Sequence, residues 1–493
     1  MADTTIAAAT PATASVPIGA PDHAARNRLV ITLLLISTFV VILNETIMGV
    51  AVPKLMVELR IDADAAQWLT TAFMLTMAVV IPITGFLLQR LHTRSVFITA
   101  MTLFSAGTLF AAVAPGFELL VAARVVQATG TAIMIPLLFT TVLTLVPEQS
   151  RGRVMGNISI VISVAPALGP VISGLILQYL NWRFMFVLVL PIAIAALIVG
   201  SRRVPNVTEP SKTSIDVVSV PLSAFGFGGL VFGLSNIGTA GIGAMQSWLP
   251  LAVGIVGITL FVLRQVRLQK TDSALLDLRT FQTRTFTFAV GMLTISMMAL
   301  FGTFILLPLY TQNVLGLEPI TTGLLILPGG LIMGLLAPFV GRIYDRIGPR
   351  ALVIAGSIIV SAALWGMTLL SISTPLWMII AFHLTLSIGL ALIFTPLFTA
   401  GLGAIPSKLY SHGSAVVGTV QQLAGAAGVA LFITVMSATV LSQMDAGVAE
   451  ISATAAGIHT AFIYGAVISL FAIPLAFFIR KPVAQEGGSP VVH

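Results

Sequence analysis

The chain of 493 residues has no cysteine. That excludes disulfides and any thiolate metal site. Charge is scarce too: Asp, Glu, Lys and Arg make up 8% of the residues, against 57% hydrophobic ones. A water-soluble domain carries ~25% charged residues, so that class is excluded. No Gly-x-x-x-x-Gly-Lys-Ser/Thr phosphate loop occurs, which argues against direct coupling to ATP. No polar stretch is long enough for a catalytic domain, and no catalytic dyad appears. No cleavable leader is evident, and residues 1–27, rich in Ala, Thr and Pro, are expected to form a disordered cytoplasmic tail.

What the sequence has instead is a series of apolar runs, each long enough to cross ~30 Å of hydrocarbon as a helix. They do not alternate like membrane β-strands. Fourteen spans are expected. Six fall at roughly 29–52, 67–89, 95–114, 118–146, 154–179 and 184–200. A pair follows at about 217–237 and 247–264, the first of them Gly-rich. Six more fall at roughly 285–310, 320–341, 351–371, 375–400, 412–440 and 458–479. The domain reading is a bundle over 28–200, linkers and an inserted pair over 201–284, a second bundle over 285–480, and a cytoplasmic tail over 481–493.

With the N-terminus inside, twenty of the 24 Lys and Arg fall in cytoplasmic segments. Lys54, Arg60 and Arg183 fall outside, and Arg124 lies within a span. This positive-inside bias places both termini in the cytoplasm. It explains the net charge of +7 as topology, with no nucleic-acid partner implied.

The sequence also echoes itself. Gly85 to Arg94 reads "GFLLQRLHTR" and Gly341 to Arg350 reads "GRIYDRIGPR", each at the inner end of the second span of its block. Duplicated halves around a midplane site are the architecture of many secondary transporters.

At these residues the chain resembles the major facilitator superfamily, in its fourteen-span drug:proton antiporter branch. "GRIYDRIGPR" is similar to the family's inner-loop motif Gly-x-x-x-Asp-Arg-x-Gly-x-Arg. "RVVQATGTA", from Arg124, is similar to the fourth-helix motif, and "APALGPVISG", from Ala165, to the fifth-helix antiporter motif. "LNETIMGVAVP", "NWRFMFVLVLP" and "LPLYTQNVLG" also recur in the branch. The resemblance implies an all-α membrane protein of two pseudo-symmetric six-helix bundles plus an inserted pair. It implies no enzyme activity and no cofactor, with the proton as coupling ion. It further implies amphipathic small-molecule substrates, such as drugs, antibiotics and lipophilic cations, and a plasma-membrane transporter that works as a monomer in the lipid bilayer. Three positions depart from the pattern. Asn44 stands where the branch often has Asp, Gln89 replaces the first inner-loop Asp, and His92 replaces its Gly.

Glu45 is the acid expected inside a span. A charge near the bilayer centre costs at least ~2.5–3.5 kcal/mol, so it faces a cavity or a partner. It is either a titrating carboxylate or a structural acid in a salt bridge with Arg124, which lies at a comparable depth. Gln127, one turn from Arg124, either shares that network or satisfies backbone. Gly169 and Pro170, with Ala165 and Gly174, supply small residues for close helix contact; the alternatives are packing alone or a seal against proton leak. Asp345, with Arg342, Arg346 and Arg350, is expected at the cytoplasmic surface, either as an inner gate accepting hydrogen bonds from the start of the fifth span near Gly152–Val154 or as ordinary positive-inside residues. The gate counterpart in the first half is Gln89 with Arg90. His383 is expected as a hydrogen-bonded structural residue, with a proton relay as the alternative. Asn44, Gln127, Tyr310, Gln312, Asn313, Gln421, Gln422 and His383 are candidate cavity residues.

The function implied is proton-driven export of amphipathic compounds. A dedicated exporter of one metabolite, lipid or antibiotic fits the same pattern. A symporter is disfavoured by the Gly-Pro motif, and a membrane enzyme or receptor by the transporter motifs.

Overall fold

Inside hydrocarbon every backbone N–H and C=O must be satisfied within the segment, which a helix alone does without a partner strand. The computed structural model accordingly contains helices and no strands among its described residues, which are 21–61, 63–207, 210, 216–236 and 244–482. The first bundle comprises α1 (Pro21–Leu59), α2 (Ala63–Arg90), α3 (Thr93–Ala112), α4 (Phe117–Leu145), α5 (Arg151–Tyr179) and α6 (Phe184–Arg203). The inserted pair is α7 (Ser219–Asn236) and α8 (Ala244–Leu268). The second bundle comprises α9 (Arg284–Leu309), α10 (Pro319–Ile347), α11 (Arg350–Met367), α12 (Leu376–Ala404), α13 (Tyr410–Asp445) and α14 (Glu450–Leu470).

Thirteen of these helices are long and apolar enough to cross a membrane. The fourteenth is α7, whose glycines and polar ends dilute its hydropathy. This is a multi-pass membrane protein. Its first helix begins at Pro21, inside the stretch expected as a tail. The rest of that tail, and nearly all of the C-terminal one, fall outside the described residues.

Small residues set the close helix crossings. A Cβ on Gly130 of α4 would lie 2.4 Å from the carbonyl of Ala100 on α3, and one on Gly107 would lie 2.5 Å from the backbone of Gln127. The inserted pair is joined the same way, Gly229 against Gly254 and Gly233 against Leu251. Helix α7 lies against both α2 and α13, so the pair flanks the seam between the two bundles.

The pair is fastened at the Arg-rich face. Arg264 donates to both Asp216 oxygens at 2.6 Å. These bonds hold the Asp216 carboxyl down to about 2, against the opposing cost of burial, with Ser219 assisting. Gln265, fully buried, donates to Ser219 at 2.7 Å and accepts from the backbone of Leu275 and Leu276. The linker from α8 to α9 is thereby tied to the end of α8.

The two bundles meet along α5 and α10. Contacts run from Gly152, facing Gly341, to Ala167, facing Gly330, a distance of ~22 Å along the helix. Beyond them, Gly174 on α5 and Gly323 on α10 would each meet nothing within 4 Å. The close contacts between α5 and α10 thus extend from the Arg-rich face and end before Gly174 and Gly323.

Candidate functional site: a buried arginine, a lone carboxylate and an inner seam

Arg124 is 1% exposed on α4. A guanidinium does not deprotonate, so burial demands partners for its donors. Its Nη1 donates to Asn44 Oδ1 at 3.1 Å and to Gln127 Oε1 at 2.6 Å, and its Nε to the carbonyl of Leu69 at 3.4 Å. The guanidinium lies 4.0 Å from the centre of the Phe73 ring. Gln127 donates onward to Thr108 at 2.8 Å, and Thr108 to the carbonyl of Phe104. One network therefore ties α1, α2, α3 and α4 together.

The ion pair expected between Glu45 and Arg124 is not formed; the amide of Asn44 takes that position. Successive helical residues point ~100° apart, so only one of two neighbours can face a given partner. Asn44 faces α4, and Thr46 faces α5, where a Cβ on Gly169 would lie 2.3 Å from its hydroxyl. Glu45 occupies the sector between them. It is partly exposed, and its carboxylate has no hydrogen bond or ion pair with another described residue. Arg124 acts on it through space.

Several candidate cavity residues are placed elsewhere. Asn44 is 2% exposed and Gln127 fully buried; both belong to the arginine network. Tyr310 is 1% exposed and donates to the carbonyl of Ser371 at 2.6 Å, so it packs between helices. His383 is buried with Nε2 3.2 Å from the carbonyl of Ile326, the structural placement expected of it. Gln312 and Gln421 are half-buried, and no hydrogen bond joins either to another described residue. Gly169 makes the close contact expected, against α1, with Pro170 beside it in α5, whereas Gly174 faces open space and joins no packed stripe.

At the Arg-rich face, Asp345 accepts hydrogen bonds from the backbone of Gly152 at 2.9 Å and Arg153 at 3.0 Å. This is the contact expected with the start of α5. Arg346 and Arg350 do not join it: both are exposed, and Arg350 stacks over Phe477. In the first half, Gln89 donates to the carbonyl of Lys408 at 3.0 Å, just before α13. Arg90 stacks over Phe86. Two hydroxyl pairs reinforce the seam, Thr395 with Ser159 at 2.9 Å and Thr140 with Ser414 at 3.3 Å. These pairs, and Phe73 and Thr108, carry no signal in the sequence beyond ordinary polar or aromatic helix positions.

Comparison with known proteins agrees with this architecture. The Major Facilitator Superfamily model matches residues 34–429, and the chain belongs to that superfamily. It is 42% identical over 458 residues to the uncharacterised MFS-type transporter YcnB of Bacillus subtilis (strain 168), covering 92% of this chain and 96% of that one. It is 42% identical over 457 residues to the lincomycin resistance protein LmrB of Listeria monocytogenes serovar 1/2a, again covering 92% and 96%. Among solved structures, the proton:xylose symporter XylE is similar with a TM-score of 0.60 at 13% identity, covering 91% of this chain and 95% of that one. That likeness concerns the fold. The chain is a transporter of this superfamily and not an enzyme.

Proposed function

We propose that this member of the major facilitator superfamily is a proton-driven antiporter that exports amphipathic small molecules from the cytoplasm across the plasma membrane. The Arg-rich face is the cytoplasmic one in this reading. The observation that carries it is the partly exposed Glu45, which has no hydrogen bond or ion pair among the described residues, beside an Arg124 whose Nε and Nη1 are given to Leu69, Asn44 and Gln127. A carboxylate kept in the membrane without a fixed partner is free to exchange a proton for a substrate. Binding of the two then opposes reciprocally. With one such acid, one proton moves per cycle. Export of a monovalent cation is then electroneutral, and export of a neutral compound moves charge. Gln312 and Gln421 offer unfilled amides to a substrate. The names of the LmrB relatives make lincomycin a sensible first compound.

The test is transport in proteoliposomes under an imposed pH gradient, with lincomycin and a panel of cationic and neutral drugs. The intact chain should export on the gradient, and Glu45→Gln should bind the compounds but lose the coupling. If Glu45→Gln still transports on the gradient, the acid is structural and the proton site lies elsewhere. Transport of one panel member alone favours the dedicated exporter.

A further inference from the structure

The closed seam leaves a cavity of about 1020 Å³ at the Arg-rich face, walled by both bundles and by the linker that follows α8. Its charges and donors are unevenly used. On the linker, Arg279 pairs with both Asp272 and Asp277, so the two carboxylates there are satisfied. On the first bundle, Arg151 gives Nε to the carbonyl of Val146 and Nη2 to that of Leu143, with Glu148 3.6 Å from Nη1.

The α13 wall is different. The Lys408 ammonium, the Tyr410 and Ser411 hydroxyls and both His412 ring nitrogens make no hydrogen bond or ion pair with any described residue. Tyr410, Ser411 and His412 are 8%, 5% and 3% exposed and border the cavity, the enclosed Nδ1 of His412 lying toward Gly85 of α2 and leaving Nε2 for the cavity. A buried polar side chain in that state has lost its water partners without replacement and calls for a ligand. These groups are donors, or donors as well as acceptors, and they sit at the positive end of a helix of 36 residues. A phosphate oxyanion matches such a wall, because its several acceptor oxygens take charge-assisted bonds from Lys and neutral ones from hydroxyls and imidazole. The volume exceeds that of a bare phosphate and leaves room for an organic body against Gln89 and Thr144 of the first bundle.

We propose that this cavity binds an organic phosphate, its phosphate group on Lys408, Tyr410, Ser411 and His412, and that the occupant holds the two bundles closed at this face. The inference rests on the transport reading only for its consequence: a bound phosphate opposes opening toward the cytoplasm and slows export. The same chemistry is presented by a soluble phosphate ester and by a phosphatidic-acid headgroup.

The test uses the full chain in phosphatidylcholine nanodiscs, with glycerol 3-phosphate as probe and glycerol as control. Glycerol 3-phosphate should raise the thermal midpoint and shorten spin-label distances across the α2–α13 seam; glycerol should do neither. Lys408→Gln, at an exposed side chain, should weaken the response about tenfold. His412→Gln should weaken it too, and Lys408→Gln decides alone if that variant does not fold. The same shift from phosphatidic acid in the nanodisc, with none from the soluble ester, assigns the source to lipid. No response to either probe, or an undiminished response in Lys408→Gln, overturns the site. A normal response in a protein that moves no drug leaves the site standing and removes the transport reading instead.

Discussion

The two inner turns occupy equivalent places in the two bundles but hold the seam by opposite chemistry. In the second half a carboxylate, Asp345, accepts two backbone N–H bonds from the first turn of α5. In the first half an amide, Gln89, donates one bond to a carbonyl ahead of α13. A helix start presents unpaired N–H groups and a positive dipole end, so a carboxylate there gains twice. The Gln89 contact is a neutral bond at an exposed position. The turns differ in backbone as well. Gly348 has φ of +80°, a conformation that favours glycine, whereas His92 at the matching position is extended with φ of −60°. The α5–α10 side is therefore the strong half of the closure and the α2–α13 side the weak one.

The largest effect should come from bulk at the strong side. A Cβ on Gly341 would lie 2.1 Å from the Gly152 carbonyl. Gly341→Leu should abolish export while the protein still inserts, overpacking costing ~1–3 kcal/mol or more. Efflux together with spin-label distances between α5 and α10 reads this out; normal distances with normal efflux would show that the contact is dispensable.

Next is Asp345→Ala, which strips the α5 start of a charged acceptor. Bonds to charged groups are worth ~1.5–3 kcal/mol when well shielded, less at a half-exposed residue. The closed population should fall about tenfold, seen as a second, longer spin-label distance. An unchanged distribution would mean that the glycine packing alone closes this side.

A smaller effect is expected from Gln89→Asp, which makes the two motifs alike in sequence. The carboxylate cannot donate to the Lys408 carbonyl, so the weak side should weaken by ~0.5–1.5 kcal/mol. Tighter closure in that variant would instead reveal two equivalent halves.

The smallest concerns the fastening of the inserted pair beside the weak side. The folded Asp216 carboxyl sits at about 2, below the ~3.9 of a free aspartate. Its contribution is therefore present above pH ~4 and is lost as the pH falls through ~2. Asp216→Asn should lower the thermal midpoint slightly at neutral pH, the gap narrowing on acidification. A gap constant with pH would assign the loss to packing.

Composition and spacing determined the membrane class, the fourteen helices and the site's principal residues. Apolar runs of ~20 residues leave no alternative to spanning helices, and an acid such as Glu45 stands out against them. The repeated Gly and Arg spacing located both inner turns, and pseudo-symmetry directed Asp345 to Gly152. What only the tertiary structure decided is rotation and partnership. Asn44 and Glu45 are adjacent in sequence, yet the rotational phase of α1 gives Asn44 to Arg124 and leaves Glu45 with no hydrogen bond or ion pair among the described residues. Tyr310 and Gly174 carry the same local signals as true cavity or contact residues, and packing placed one in the core and the other in the open. The cavity at the Arg-rich face is assembled from four segments far apart in the chain. Spacing along one helix fixes which residues share a face, but which neighbour meets that face depends on every other helix in the bundle.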